Sequence, residues 1–200
     1  MNEKQWLTEL ELKGNVVTLR PLKKEHASKL VKAASDGELW KLWYTSVPNS
    51  ESVKNYIDFA LSEKAAEYSL PFVVINNATQ EVIGATRFCN ADLVQKRVEI
   101  GYTWYSKSYQ RTSVNTECKF LLLRHAFEQL STIAVEFRTH WHNHGSRTAI
   151  ARLGAKQDGI LRNHRKMTNG SYQDTVVFSI TNQEWTAVKH GLIFRLNIGS

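Results

Sequence analysis

The sequence predicts an α/β (α+β) fold in which a mixed sheet is flanked by helices. Patterns typical of strands and of helices follow one another without strict alternation, which favours a mixed sheet. The length of 200 residues, the hydrophobic share of 42% and the aromatic share of 10% suit one compact domain with a real core. No repeat or linker interrupts the pattern. We therefore expect a single domain over residues 1–200, with its core at about 12–182.

Apolar periodicity and turn signals divide the chain into elements. Predicted helices carry apolar residues at spacings of three and four, and predicted strands carry β-branched and aromatic residues between turns. In chain order we expect a strand at 17–22, a helix at 23–35, an aromatic irregular segment at 38–48, a helix that starts after Asn49 or Ser50, strands at 71–75, 82–90 and 97–104, a helix, a strand at 133–139, a helix at 146–153 and two strands from about Lys156.

The most informative segment, residues 99–124, predicts the end of a strand, a polar loop and a helix. The loop covers 105–115 and carries Lys107 and Arg111, and the helix starts at about Thr116, with Asn115 or Thr116 as its N-cap. Free backbone N–H groups and the positive end of the helix dipole meet at this loop, which suits a phosphate or pyrophosphate. No GxGxxG or GxxxxGK[ST] motif accounts for it.

Charge and cysteine content bound the partners and the compartment. The formal net charge of +7 favours polyanionic ligands, but no block of like charges is present, which argues against nucleic acid. No apolar run reaches the length of a membrane span and the N-terminal residues are polar, so we expect a soluble, cytoplasmic protein with no membrane partner. Cys89 and Cys118 lack metal-type spacing and are expected to be free thiols.

Four short motifs follow one another along the chain: VTLRPL at 17–22, QRTSVN at 110–115, NHGSRTAIARLGA at 143–155, and a closing segment at 165–180. Together they resemble the GCN5-related N-acetyltransferase (GNAT) superfamily, in its RimJ/RimL-type ribosomal-protein acetyltransferase branch. The motifs correspond to the first strand, the Q/R-x-x-G-x-G/A pyrophosphate loop, the N-x-x-S helix and the final β-hairpin. Ser113 and Asn115 stand where the family prefers glycine, and glycine or alanine.

The resemblance implies a GNAT-like fold, with a mixed, mostly antiparallel sheet and a central splay, flanked by helices. It implies acetyl-CoA as co-substrate, no metal, and an amine of a peptide N-terminus or a small molecule as acceptor. A homodimer is an expectation that rests on the family alone. The implied cofactor-binding residues are Tyr102, Thr103, Trp104, Gln110, Arg111, Thr112, Ser113, Val114, Asn115, Thr116, Asn143 and Arg147.

Glu99 is the candidate general base, because strand residues beside the splay face the acceptor channel in GNAT enzymes. The alternative is a surface carboxylate paired with Arg97 or Lys96. Strict alternation along the strand predicts two faces, one with Glu99, Gly101 and Thr103, and the other with Ile100, Tyr102 and Trp104.

Ser146 is the candidate acid for the departing thiolate, acting through its hydroxyl or a bound water. The alternative is a helix cap that follows Asn143. Many GNAT enzymes have a tyrosine four residues after this serine, where this chain has Ile150.

Trp40, Trp43 and Tyr44 are the candidate substrate-binding residues, because the family shapes its acceptor pocket between the first two helices. The alternative is aromatic packing of those helices against the sheet. The alternating histidines 140, 142 and 144 suggest a metal site, but no fourth ligand adjoins them. We expect no metal there and interpret the segment as the strand-to-helix junction beside the coenzyme.

The leading interpretation is an acetyl-CoA-dependent N-acetyltransferase. A neutral α-amine costs only about 1 kcal/mol to form at pH 7, against roughly 4.6 kcal/mol for a lysine side chain, so an acceptor of low pKa is favoured. The alternatives are another acyl donor or a small-molecule acceptor on the same fold, a non-catalytic coenzyme A-binding or interaction module, and, last, a nucleic-acid-binding protein.

Overall fold

The computed structural model describes residues 6–167 and 170–197. Within these residues an eight-stranded sheet carries helices on both faces. The strands are β1 (Leu12–Lys13), β2 (Val17–Pro21), β3 (Leu70–Asn76), β4 (Val82–Asp92), β5 (Arg97–Tyr105), β6 (Ala134–His140), β7 (Lys156–Lys166) and β8 (Tyr172–Thr181). The helices are α1 (Ala27–Ser35), α2 (Val53–Ala65), α3 (Ser113–Glu128), α4 (His144–Arg152) and α5 (Asn182–Leu196), with short 3-10 turns at Lys24–His26, Leu39–Lys41 and Lys107–Tyr109.

The sheet order is β1-β2-β3-β4-β5-β6-β8-β7, and β5–β6 is its parallel pair. That pairing runs only from Arg97 opposite Ala134 to Glu99 opposite Glu136. Beyond it, β6 remains paired with β8 as far as His140, and β5 remains paired with β4. The gap between residues 100–105 of β5 and 137–140 of β6 is called the cleft below. The predicted α/β fold with a mostly antiparallel sheet, a central splay and flanking helices is confirmed.

Two cores cover the two faces of the sheet. The α3-side core joins α3, α4 and α5 to residues such as Phe72, Val98 and Ile100, and the α2-side core joins α1 and α2 to residues such as Val73 and Trp104. Every residue of β3 is buried because both of its faces are covered. By contrast, β7 lies at the sheet edge and is mostly exposed.

A β-bulge in β5 shifts the alternation of side chains. Ala85 pairs with Trp104 but Arg87 pairs with Gly101, so β5 holds one extra residue, and Tyr102 adopts a left-handed φ of 50°. As a result Ile100 and Tyr105 share the α3-side core, while Trp104 joins the α2-side core. The expected grouping of Ile100 with Trp104, and of Glu99 with Thr103, is wrong, because the extra residue inverts the faces after it.

A buried carboxylate ties α3 to the start of β2. Glu117 accepts hydrogen bonds from the backbone N–H groups of Asn15, Val16 and Val17 at 2.7–2.8 Å. Gly14 makes room for it, since a Cβ there would lie 2.5 Å from the Glu117 carboxyl carbon. Hydrogen bonds to an ionised carboxylate, such as these, are stronger than hydrogen bonds between neutral groups.

One helix starts earlier than the sequence predicts, and one helix was not predicted. α3 begins at Ser113 with Thr112 as its N-cap, so the expected start at Thr116, capped by Asn115 or Thr116, is wrong by three residues. The C-terminal helix α5, beyond the expected core, begins with a capping box formed by Thr181 and Glu184. Residues 168 and 169 of the predicted closing hairpin lie outside the described residues. No helix in the described part of the chain is long and apolar enough to cross a membrane.

Candidate active site

The N-termini of α3 and α4 lie at the same edge of the sheet. β5 and β6 are parallel, α3 follows β5, and α4 follows β6. At this point β5 pairs antiparallel with β4 on one side and β6 pairs antiparallel with β8 on the other. Ligands of open α/β sheets bind outside the carboxyl ends of parallel strands, at the point where the topology switches. The cleft and the two helix N-termini therefore form one candidate site.

The loop before α3 is the part of this site where the sequence predicts an anion. The Thr112 hydroxyl accepts a 3.3 Å hydrogen bond from the Val114 N–H, and residues 110–113 are exposed. The first turn of α3 has no acidic residue, so the positive end of the dipole is uncompensated. Arg111 has a left-handed φ of 62°, while the Gln110 side chain donates to the Tyr105 carbonyl at 3.0 Å. Gln110 thus fixes the loop to the end of β5.

The junction before α4 is held by its own side chains. Asn143 is the N-cap of α4, and its Oδ1 accepts the Ser146 N–H at 3.0 Å. Ser146 is therefore in the first turn and is not the cap, and no described residue bonds its hydroxyl. Arg147 donates to the Trp141 carbonyl at 3.2 Å and its Cζ lies 4.1 Å from the centre of the Trp141 ring. Ile150, one turn after Ser146, is buried in the α3-side core.

Two buried cations contact the β5 bulge from opposite faces. On the α2 side, the Arg87 Cζ lies 3.8 Å from the centre of the Tyr102 ring, with the rings of Tyr56 and Phe59 at 5.4 and 5.8 Å. On the α3 side, Lys119 Nζ donates to Thr103 Oγ1 at 2.5 Å, and Thr103 Oγ1 lies 2.7 Å from Thr86 Oγ1. Arg87 is 2% exposed and Lys119 is 4% exposed. The bulge is thus fixed from both sides.

Glu99 stands at the closed end of the cleft. It is 8% exposed, and its Oε2 accepts a 2.7 Å hydrogen bond from Asn90 Nδ2 and lies 3.5 Å from Arg138 Nε. Burial raises the pKa of Glu99, although the bond from Asn90 and the charge of Arg138 act in the opposite direction. A buried carboxyl with a raised pKa is suited to proton transfer near neutral pH.

The surface-carboxylate alternative for Glu99 is wrong. Arg97 pairs with Glu136 on the neighbouring strand, at 2.9 Å from Nε and 2.6 Å from Nη2 to the same carboxylate oxygen. Glu99 instead faces the α2 side of the sheet, because its neighbours Val98 and Ile100 both belong to the α3-side core.

The three predicted substrate-binding aromatic residues do not share one environment. Trp40 packs against the α2-side core, as the packing alternative holds. Trp43 is 56% exposed, and its ring centre lies 5.7 Å from Tyr44, 4.9 Å from His140 and 5.6 Å from His142. Trp43 thereby connects the α1–α2 segment to the end of β6, on the α2 side of the cleft.

The ring of His140, the first histidine of the run, is held by the backbone that follows it. Its Nδ1 accepts the His142 N–H at 3.0 Å, so in the neutral ring the proton is on Nε2. Burial and the neighbouring His142 lower the pKa of His140, and its Nε2 is buried with no partner in residues 6–167 and 170–197. No group of three or more metal-ligating side chains is found in the described part of the chain.

Sequence reasoning missed Arg87, Lys119 and Arg138 in this site. The one available signal was at Lys119, which precedes Leu122 and Leu123 at spacings of three and four and so lies on a buried face of α3. Arg87 and Arg138 occur in ordinary strand patterns, which carry no signal of this kind.

The family model for the acetyltransferase (GNAT) domain matches residues 17–156 of this chain, which include the cleft, both helix N-termini and Glu99. The chain belongs to the GNAT family. The resemblance stated from the sequence motifs is confirmed.

Individual GNAT relatives agree with this assignment. The chain is 31% identical over 100 residues to YdaF of Bacillus subtilis (strain 168), which is provisionally named a ribosomal N-acetyltransferase, and the match spans 50% of this chain and 54% of YdaF. The chain thus spans about half the length of this curated relative.

Solved structures match over more of the chain. A GCN5-related N-acetyltransferase of Brucella melitensis has a TM-score of 0.82 and 27% identity, over 93% of this chain and 85% of that chain. RimJ of Mycobacterium smegmatis, solved with CoA-disulfide, has a TM-score of 0.76 and 21% identity, with 90% of each chain covered. At that identity the second likeness concerns the fold.

Proposed function

We propose that this protein is an acetyl-CoA-dependent N-acetyltransferase that moves an acetyl group to a primary amine by direct attack in a ternary complex. The observation that carries the proposal is the cleft at the topological switch, with a buried carboxylate at its closed end and two helix N-termini at its open end. The acceptor is a peptide N-terminus or a small-molecule amine, and the protein acts in the cytoplasm.

The residues of the open end fit a pyrophosphate. The amides of Ser113 and Asn115 in the first turn of α3 and the exposed cations Lys107 and Arg111 provide donors and positive charge. Ser113 and Asn115 replace the glycine, and the glycine or alanine, of the family motif, but Arg111 adopts the left-handed conformation before the helix. Gln110, Thr112, Val114 and Thr116 shape this loop, and Asn143 and Arg147 hold the opposite wall.

The chemistry needs a base, a polarised carbonyl and a proton for the thiolate. Glu99 accepts the proton of the incoming amine, and its raised pKa suits that role near neutral pH. The backbone N–H groups of residues 102–104 at the bulge hold the carbonyl oxygen, and they are fixed by the contacts of Arg87 and Lys119. Ser146 lies at the start of α4 with its hydroxyl available for the thiol side. Trp43 and Tyr44 line the acceptor side.

Calorimetric titration with acetyl-CoA, and then with dephospho-CoA, tests the cofactor site. Arg111→Glu should weaken acetyl-CoA binding by at least about tenfold, since it reverses a charge at the anion site. Lys29→Glu makes the same charge change on an exposed position of α1 and should leave affinity unaltered. Equal affinity for Arg111→Glu and the wild type would refute the pyrophosphate placement.

Release of free thiol with a panel of peptide N-termini and small amines tests turnover. Ser113 and Asn115 at positions where the family prefers glycine, and glycine or alanine, and Ile150 in place of tyrosine favour the second candidate, a coenzyme A-binding module without activity. Tight binding without thiol release from any amine would support that module, whereas amine-dependent release supports the enzyme.

A further inference from the structure

Lys119 is buried in a way that is unusual for lysine. Its side chain is 4% exposed, and lysines are almost never fully buried without a paired charge. Its Nζ donates to the Thr103 hydroxyl, and no carboxylate of the described residues forms an ion pair with it. A buried ammonium held by one neutral hydroxyl and one aromatic ring, that of Phe137, is costly, and no carboxylate among the described residues offsets this cost.

The Lys119 ammonium lies beneath the cleft. Thr103 belongs to β5, immediately after the bulge, and the ring centre of Phe137 on β6 lies 5.9 Å from Nζ. These residues stand on the two strands that separate. The amine therefore approaches the cleft from the α3 side, while Glu99 faces the α2 side of the same sheet.

We propose that Lys119 donates the proton to the thiolate that leaves when the thioester is cleaved, an inference that rests on the proposed function. A base on one face of the sheet and an acid on the other match the reaction. The amine attacks the thioester carbonyl carbon from one side, and the sulfur leaves from that same carbon. Ile150 occupies the position where the family often has a tyrosine, and its side chain cannot supply a proton. Ser146 would hydrogen-bond the sulfur at the start of α4, and Lys119 would supply the proton.

The proton balance closes with these two groups. The C–N bond forms and the C–S bond breaks, and the sulfur leaves with the electron pair of that bond. Glu99 takes one proton from the attacking nitrogen, and the Lys119 ammonium gives one to the sulfur. After the products leave, Glu99 releases its proton to solvent and Lys119 takes one up, so the net transfer is from amine to thiol.

The surroundings of Lys119 make the transfer feasible. Burial lowers its pKa to about 8, close to that of an ordinary thiol at about 8.5. The titratable groups that act on it are Cys118 on α3 and Cys89 on β4. Burial raises the pKa of both thiols, so both stay neutral. Tyr105, whose phenol interacts with the Cys118 thiol, has a pKa raised well above its usual value by burial and holds its proton more tightly than Lys119.

The test is the pH profile of thiol release by the full-length protein from pH 6 to 10, with acetyl-CoA and a productive amine. For the wild type we expect kcat to fall on the alkaline side with an apparent pKa near 8, as Lys119 loses its proton. Lys119→Met should lower kcat by about 100-fold and abolish that alkaline fall, with the acetyl-CoA affinity from calorimetry unchanged. Lys189→Met is the matched control, because it removes a lysine of α5 that pairs with Glu128, and it should retain the wild-type profile.

Lys119→Arg separates proton donation from a fixed positive charge. Arginine keeps its proton throughout this range, so this variant should be as slow as Lys119→Met. Wild-type rates for either Lys119 variant, or a wild-type profile without the alkaline fall, would overturn the proposal; the wild-type profile decides even where a variant fails to fold. A wild-type protein that binds acetyl-CoA but releases no thiol with any amine would defeat the proposed function itself, and this inference with it.

Discussion

Arg87 and Lys119 contact the same bulge of β5 from opposite faces of the sheet, and their surroundings differ. Arg87 is enclosed by the rings of Tyr56, Phe59 and Tyr102, which stabilise a cation without accepting its proton. Lys119 has one hydroxyl partner, a single ring (Phe137) at 5.9 Å from Nζ, and a pKa lowered to about 8. One bulge therefore contacts two kinds of cation. Arg87 is a permanent charge that positions the backbone, and Lys119 carries a charge that can be lost as a proton.

The largest expected effect concerns stability against pH. The pKa of Lys119 falls from 10.5 in the unfolded chain to about 8 in the folded protein, so the unfolded state binds more protons between these values. The cost of burying the ammonium is therefore fully present below about pH 8 and disappears as the pH rises towards 10.5. Relative to Lys119→Met, the wild type should gain about 3 kcal/mol in free energy of unfolding between pH 7.5 and 10.5.

Urea unfolding at several pH values measures this gain. Arg87→Met provides the contrast, because arginine does not titrate in this range, and its stability difference from the wild type should stay constant. If the stability difference between Lys119→Met and the wild type were also independent of pH, Lys119 would behave like Arg87 and the contrast between the two cations would be refuted.

The second-largest effect is expected at Glu99, the proposed base, which faces the same α2 side of the sheet as Arg87. Glu99→Gln should lower kcat by about 100-fold and remove the rise in rate with pH, because the carboxylate form, present above its raised pKa, is the active one. The alkaline fall assigned to Lys119 should remain. Glu136→Gln, on the adjacent strand, removes a carboxylate that pairs with Arg97 and Arg138 and should keep the rise. An unaltered profile for Glu99→Gln would exclude Glu99 as the base.

A smaller effect is expected from the fixed charge. Arg87→Met should lower kcat about tenfold, since the cation–π contact that positions Tyr102 is worth on the order of 1–2 kcal/mol, and both limbs of the pH profile should stay in place. Arg124→Met loses a cation–π contact with Phe120 away from the bulge and serves as control. Steady-state kinetics at several pH values would contradict the positioning role if Arg87→Met moved either limb.

The smallest effect concerns the acceptor wall on the Arg87 face. Trp43→Ala should raise the KM for the amine about threefold to tenfold, because aromatic contacts of this kind contribute about 0.5–1.5 kcal/mol, and the dissociation constant of acetyl-CoA should not change. Phe194→Ala removes an exposed aromatic ring of α5 as a control. A changed acetyl-CoA affinity with an unchanged amine KM would place Trp43 on the other side of the cleft.

The sequence predicted strands β2 to β8 well, because their periodicity is strong, whereas the central splay was implied by the family resemblance. The sequence predicted a loop and a helix after β5, but not the start of α3, since Thr112, Asn115 and Thr116 are all acceptable caps and only tertiary packing selects one. The bulge had no sequence signal, because tyrosine rarely adopts a positive φ. Helix α5 was detectable from the Thr181–Glu184 capping box. The pairing of Arg97 with Glu136 joins residues 39 apart in the chain, and no local pattern reports such a contact.

Helix α3 links two distant parts of the molecule through one turn. Glu117 holds the backbone of Asn15, Val16 and Val17, and Lys119, two residues later, holds Thr103 beside the bulge. A truncation that removes the first sixteen residues would leave a buried carboxylate short of donors and free α3 to shift. Trimming this chain, or fusing a tag close to β2, would therefore disturb the β5 bulge from a segment at the far end of the same helix contacts.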